Sequence, residues 1–158
     1  MRSPSRSLAG KVALVTGGGR GIGRAIAAAF AARGMKVAIA DIDGDLVEKT
    51  AREIGAGVSA LALDVTAPEA FKRVVDEIER VLGPLDVLVN NAGIMPVGPF
   101  LEENDATTRR IVDVNVHGVL NGMKVVLPRF LTRGRGHVVN VASMAAKVPA
   151  PGGATYTG

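Results

Sequence analysis

Two spacings of apolar residues alternate along the chain. Residues 11–16, Lys-Val-Ala-Leu-Val-Thr, are almost continuously apolar, as a strand covered on both faces requires. A glycine-rich turn leads from it into an alanine-rich helix over 22–33, where Ile22, Ile26 and Phe30 recur on one face and Gly34 is placed to end the helix. Residues 37–40 form a second apolar strand that runs into Asp41, and a second helix over 45–54 is stopped by Gly55. A third strand over 58–63 ends at Asp64-Val65. Thr66 and Glu69 have capping-box spacing, with Pro68 in the first turn of the helix behind them. That helix carries Phe71, Val74, Val75, Ile78, Val81 and Leu82 on one stripe, the sharpest amphipathic pattern in the chain. A fourth strand over 85–89 ends in Asn90-Asn91-Ala92-Gly93, and a loop with Pro96, Gly98 and Pro99 follows. A long helix over about 105–131, a fifth strand over 136–142 ending at Ser143, and a final loop carrying Tyr156 complete the order.

Near-continuous apolar strands alternating with helices predict an α/β fold, a doubly wound parallel sheet covered on both faces. Ligands of such sheets bind beyond the carboxyl ends of the strands. That rule gathers the glycine-rich turn, Asp41, Asp64, Asn90-Asn91 and Ser143 on one rim.

Composition narrows the picture. With 158 residues, 47% hydrophobic and 22% charged, the chain has the apolar mass for one domain with a core. Residues 1–9 are expected to be a disordered tail and residues 10–158 a single domain. The 20 glycines show no collagen period, so they belong to particular turns. No cysteine occurs, which excludes disulfides, thiolate metal sites and cysteine nucleophiles, and the isolated His117 and His137 form no metal cluster. The net charge of +4 is scattered and aromatics are only 3%, against what a nucleic-acid partner needs. The arginine-rich stretch 129–135 reads as a solvated helix end. The longest apolar run, 25–32, is far too short to span a membrane, and 12–15 is too short for a signal-peptide core, so a soluble cytoplasmic protein without membrane contact is expected.

The first turn has glycines at Gly17, Gly21 and Gly23, with Gly19, Arg20 and Ile22 between them. It follows a strand and opens a helix, where exposed backbone amides and the positive end of the helix dipole suit a pyrophosphate and only glycine leaves its approach free. No Gly-Lys-Ser/Thr ends it, so it is not a Walker A loop; the bland reading is a tight turn with close helix–sheet packing. Asp41 lies 24 residues after Gly17 at the tip of the second strand. A carboxylate there accepts ribose hydroxyls and repels a 2′-phosphate, favouring NAD over NADP, although Arg20 pulls the other way. Asp41 also fits a simpler role as a capping or loop carboxylate.

In this order, Gly17-x-x-x-Gly21-x-Gly23, Asp64-Val65, Asn90-Asn91-Ala92-Gly93, Asn115, Ser143 and Tyr156, the sequence resembles the short-chain dehydrogenase/reductases over nearly the whole chain after the tail. The resemblance implies a Rossmann-like sheet, hydride transfer between NAD(P) and the CH–OH or carbonyl group of a small-molecule substrate, and homo-oligomers built through the long helix. It implies that Asp64 bonds the adenine amino group, that Val65 packs on the ring, and that Asn91, Ala92 and Gly93 line the cofactor and steady the central strand. It makes Tyr156 the base, Ser143 the group that positions the substrate oxygen, and Asn115 the holder of a relay water. Taken alone, Asp64 and the Asn-Gly segment also suit turns, and a mid-helix Asn115 is a polar group in need of a partner. The family pattern adds a lysine four residues after the tyrosine, whose charge favours the phenolate. The chain ends at Gly158, before that position. The expectation is therefore a fold incomplete at its C-terminal end, association-prone and inactive as it stands, or alternatively a non-catalytic dinucleotide-binding or interaction module. The apolar loop of Ile94, Met95, Pro96, Val97 and Phe100 hints at an apolar substrate.

Overall fold

The central strands are buried on both faces, and their side chains alternate between two core layers because every second one faces the same way. In β1 (Val12–Thr16), Val12 and Leu14 join one core cluster while Ala13 and Val15 join the other. The same division runs through β2 (Lys36–Asp41) and β4 (Leu85–Asn90), with Ala38, Ala40 and Leu88 on one side and Val37, Ile39, Val87 and Val89 on the other. With β3 (Val58–Ala62) and β5 (His137–Asn140), these strands make an all-parallel sheet in the order β3-β2-β1-β4-β5. The computed structural model describes residues 7–148 and 151–157. Residues 1–6 of the expected tail lie outside it, and Leu8 packs against the second cluster.

Helices α1 (Gly21–Ala31) and α2 (Gly44–Ile54) cover one face through Ala27, Val47 and Ala51. The other face is covered by α3 (Pro68–Val81), through Phe71, Val75 and Ile78, and by α5 (Gly118–Arg133), through Val126 and Phe130. Gly122 lets α5 press onto the sheet: a Cβ there would stand 2.6 Å from Asn90 Oδ1 and 2.8 Å from Phe71 Cζ. The parallel sheet with both faces covered is the expected fold. Its paired ends, Thr16 with Ala40, Asp41 with Ala62 and Asn90 with Asn140, bring the strand tips to a common rim. Among the described residues no helix is long and apolar enough to cross a membrane.

Several local expectations are corrected. Ile22 does not continue the buried face of Ile26 and Phe30; it is 64% exposed, because the first turn of α1 projects past the sheet onto the rim. Thr66 does not cap α3. Ala67 holds that position, and the Thr66 amide and hydroxyl both donate to Asp64 Oδ1, at 2.9 and 2.7 Å, a turn that consumes the would-be cap. Val81 on the α3 stripe is exposed at the last helical position. The long helix is two helices, α4 (Asp105–Val112) and α5, joined by a wider turn over Asp113–His117, in which the Gly118 amide donates to the Asp113 carbonyl. The strand expected over 136–142 is the shorter β5, and the final loop contains a one-turn helix, α6 (Ala154–Thr157).

Candidate functional site

The glycine-rich turn is fixed from three sides. From β4, the Asn91 side-chain amide donates to the Thr16 and Gly17 carbonyls at 2.9 and 3.1 Å, and the Asn91 and Ala92 backbone amides both donate to Thr16 Oγ1. From β2, the Gly18 amide donates to the Ala40 carbonyl at 3.0 Å. From α2, the buried Thr50 hydroxyl donates to the Gly19 carbonyl at 2.7 Å. These ties leave no room for side chains. A Cβ on Gly23 would stand 2.2 Å from the Gly17 carbonyl oxygen, and one on Gly17, which has φ +63°, would stand 2.8 Å from Ala92 Cα. Gly21, at φ +54°, instead faces open space at the start of α1. No side chain caps α1 and its first turn has no acidic residue, so its leading amides are available to an anion.

A cleft of about 300 Å³ opens in front of this turn. It is lined by Gly17, Arg20, Ile22, Asp41, Ile42, Leu63, Asp64, Val65, Asn91, Ala92, Gly93, Ile94, Arg110 and Val114. Nine residues singled out in the sequence meet here: Gly17, Arg20, Ile22, Asp41, Asp64, Val65, Asn91, Ala92 and Gly93. Gly19 and Gly23 stand behind the surface, one against Asp41 and Leu46, the other against Gly17 and Asn91. Asp41 serves the scaffold as well as the rim: Oδ2 accepts from the Gly19 amide at 3.0 Å and Oδ1 from the Asp43 amide at 3.3 Å. The simple loop-carboxylate role is thus present, and Asp41 also lines the cleft at the end of β2. At Asp64, burial works against ionisation. The Thr66 amide and hydroxyl and the Arg110 charge outweigh it and hold the carboxyl below its usual range. Both Thr66 bonds fall on Oδ1.

A second cleft, of about 400 Å³, shares Ile22, Asn91, Ala92, Gly93 and Ile94 with the first. Asn115, Ser143 and Tyr156 meet in it, with Met95, Val119, Val141 and Ala142. Asn115 sits in the wide helical turn and pairs reciprocally with Ile94. Its Oδ1 accepts from the Ile94 amide and its Nδ2 donates to the Ile94 carbonyl, both at 2.9 Å. The polar group flanked by valines finds its partner there and ties the cleft wall to α4 and α5. Ser143 Oγ accepts from the Ala145 amide at 3.1 Å, which sets the hydroxyl at the end of β5. Of the apolar loop, Ile94 and Met95 reach this cleft, while Val97 and Phe100 are exposed.

Sequence reasoning missed Thr50, Asn121 and Glu103. Asn121 of α5 donates to the Val65 carbonyl at 3.0 Å and so steadies the floor of the first cleft. Glu103 accepts from the Thr108 and Thr155 hydroxyls. None of the three carries a motif; each is a polar residue at or beside a helix, with a partner distant in sequence.

A family model described as short chain dehydrogenase matches residues 11–158. The chain is 42% identical over 141 residues to a sorbitol dehydrogenase of Cereibacter sphaeroides, covering 89% of this chain and 55% of that protein. It is 41% identical over 138 residues to a galactitol 2-dehydrogenase of Agrobacterium fabrum, covering 87% and 54%. Among solved structures, a 3-ketoacyl-(acyl-carrier-protein) reductase of Brucella melitensis complexed with NADH superposes with a TM-score of 0.89 at 37% identity, covering 96% of this chain and 64% of that one. The chain spans about half the length of the curated relatives it matches.

Proposed function

The chain belongs to the short-chain dehydrogenase family, and from that membership we propose that it binds NAD along the rim and serves hydride transfer between the nicotinamide and an alcohol or carbonyl substrate. The observation that carries this reading is the continuity of the two clefts through residues 91–94. The donor set of the first fits an adenosine diphosphate. The uncapped amides of α1 and the Arg20 guanidinium face a diphosphate, Asp41 accepts ribose hydroxyls, Asp64 accepts from the adenine amino group, and Val65 packs against the ring. The nicotinamide supplies the hydride acceptor or donor when bound. In the second cleft Tyr156 takes up or returns the hydroxyl proton and Ser143 orients the substrate oxygen. Asn115 completes the catalytic set, its amide keeping Ile94 at the cleft wall.

Asp41 favours NAD, because a carboxylate at the tip of β2 repels a 2′-phosphate, against the attraction of Arg20. Among the described residues, no Lys, Arg or His lines the second cleft. The alternative reading is a non-catalytic dinucleotide-binding module that uses the first cleft alone. Val112, Val116, Leu120, Leu127 and Leu131 are exposed along α4, the wide turn and α5 and support assembly with further copies.

Calorimetry of the chain with NAD, AMP and NADP tests the reading. NAD and AMP are expected to bind, with NADP about tenfold weaker, a difference of about 1.4 kcal/mol. Asp41→Ala is expected to narrow that gap. No binding of NAD or AMP, or tighter binding of NADP, would overturn it.

A further inference from the structure

We propose that Glu103 is a positioning residue for Tyr156, holding the tyrosine turn against the second cleft through Thr155; the inference rests on the reading of Tyr156 as the base. Glu103 follows a short turn, Phe100–Glu102, and stands just before α4. Its Oε1 accepts from Thr155 Oγ1 at 2.6 Å and from Thr108 Oγ1 at 2.7 Å. Both distances are those of hydroxyls bonded to an ionised acceptor, the stronger class of hydrogen bond. The hydroxyls of Thr155 and then Thr108 hold the carboxyl below its usual range, in keeping with that geometry. Thr108 lies on α4, so it fixes the carboxylate to a regular element, while Thr155 is the immediate neighbour of Tyr156.

A purely local role for Glu103 is already filled by another residue. Asn104 caps α4, its side chain accepting from the Thr107 amide at 2.9 Å. Among the described residues Glu103 has no ion-pair partner. Its interactions instead join α4 to α6, across 52 positions of sequence.

The tyrosine turn needs such a tie. Within this turn the Thr157 amide donates to the Gly153 carbonyl at 3.0 Å, a local bond that does not fix the turn to the rest of the fold. A backbone bond secures the approach to it: the Gly98 amide donates to the Gly152 carbonyl at 2.9 Å. There Gly152 has φ +76°, and a Cβ on it would stand 2.9 Å from Val97 Cγ1. Glu103 supplies the second tie inside the turn. The loop held by these two ties also contributes Ile94 and Met95 to the cleft, and Asn115 grips Ile94. The Tyr156 side chain, the cleft wall and Asn115 are therefore set relative to one another through the segment that Glu103 anchors.

Tyr156 is the only tyrosine and the chain has no tryptophan, so protein fluorescence reports this one side chain. The test compares emission anisotropy and acrylamide quenching for the wild-type chain, Glu103→Ala, Glu103→Gln and Thr155→Val, with far-UV circular dichroism to confirm folding. Glu103→Ala and Thr155→Val are expected to lower the anisotropy and to raise quenching roughly twofold, as a turn losing one of its ties to the fold should. Glu103→Gln retains an acceptor oxygen and is expected to stay near wild type. Wild-type quenching and anisotropy in folded Glu103→Ala and Thr155→Val would overturn the proposal. NAD that binds by calorimetry yet leaves the Tyr156 emission unchanged would overturn the assignment of Tyr156 beneath it, a separate failure because the Glu103 comparison is made without NAD.

Discussion

Replacing Thr50 by valine removes one hydroxyl from beneath the glycine-rich turn while keeping the side chain's outline. Thr50 is 2% exposed, and its hydroxyl reaches the Gly19 carbonyl at 2.7 Å. Gly19 is thus held at both ends of its peptide, its amide by Asp41 and its carbonyl by Thr50. Leaving a buried carbonyl without its donor costs about 1–3 kcal/mol. The added methyl of valine returns part of that, up to about 0.8 kcal/mol. A net loss of about 1–2 kcal/mol corresponds to a fall in Tm of roughly 2–8 °C, at about 2–4 °C per kcal/mol for a domain of this size. Thermal unfolding followed by circular dichroism measures it. The turn also loses its tie to α2, so AMP affinity should drop roughly threefold to tenfold, up to about 1.4 kcal/mol. Thr50→Ser separates the hydrogen bond from packing: it gives up a methyl but keeps the donor. It should lose stability while binding AMP like the wild type. Wild-type AMP affinity in Thr50→Val, or equal weakening in Thr50→Val and Thr50→Ser, would refute the assignment of the hydroxyl to the turn.

Two further outcomes follow from the same rim. Gly23→Ala drives a methyl to 2.2 Å from the Gly17 carbonyl oxygen and 2.6 Å from Asn91 Nδ2, so the turn must deform. A cost of about 1–3 kcal/mol in stability and a loss of AMP binding by calorimetry are expected. Asp64 is held below its ordinary carboxyl value of 3.8, so its contribution to stability is fully present above that value and is lost as pH falls through the lowered one. Acid unfolding of the wild type should therefore steepen below pH 3.8, and Asp64→Asn, which keeps an acceptor for Thr66 but no charge, should flatten that part of the profile when melts are compared across acid pH.

The sheet was legible in the sequence because both its faces are covered, which makes each strand a short unbroken apolar run that few other contexts require. The glycines were legible because close approach excludes every other residue, as at Gly17 and Gly23. What stayed hidden depends on partners remote in the chain. Thr50 and Asn121 look like ordinary helix-surface polar residues and Glu103 like a loop one, and their partners lie 31, 56 and 52 positions away. Thr66 misled for the opposite reason: two local options competed for one hydroxyl, and Asp64 two positions before it won. Ile22 had the right spacing for a buried face, but spacing does not tell where a helix overruns the sheet. The buried positions Ile111, Val114, Gly118, Gly122, Val126 and Phe130 keep spacings of three and four across Asp113–His117, as a continuous helix would, so the wide turn left no mark in the sequence.

That wide turn acts as a phase adjuster. An ordinary α-helix advances about 100° per residue, so the extra residue in this turn decouples the orientation of α4 from that of α5. Deleting one residue there would restore a uniform rod and swing one half by about that angle. Either Gly118 and Gly122 would leave their seats against Val65 and Phe71, or Asn115 would release Ile94. The molecule can satisfy both only by spending one residue on the offset, and a polar side chain in that stretch is thereby aimed where neither regular helix would point it.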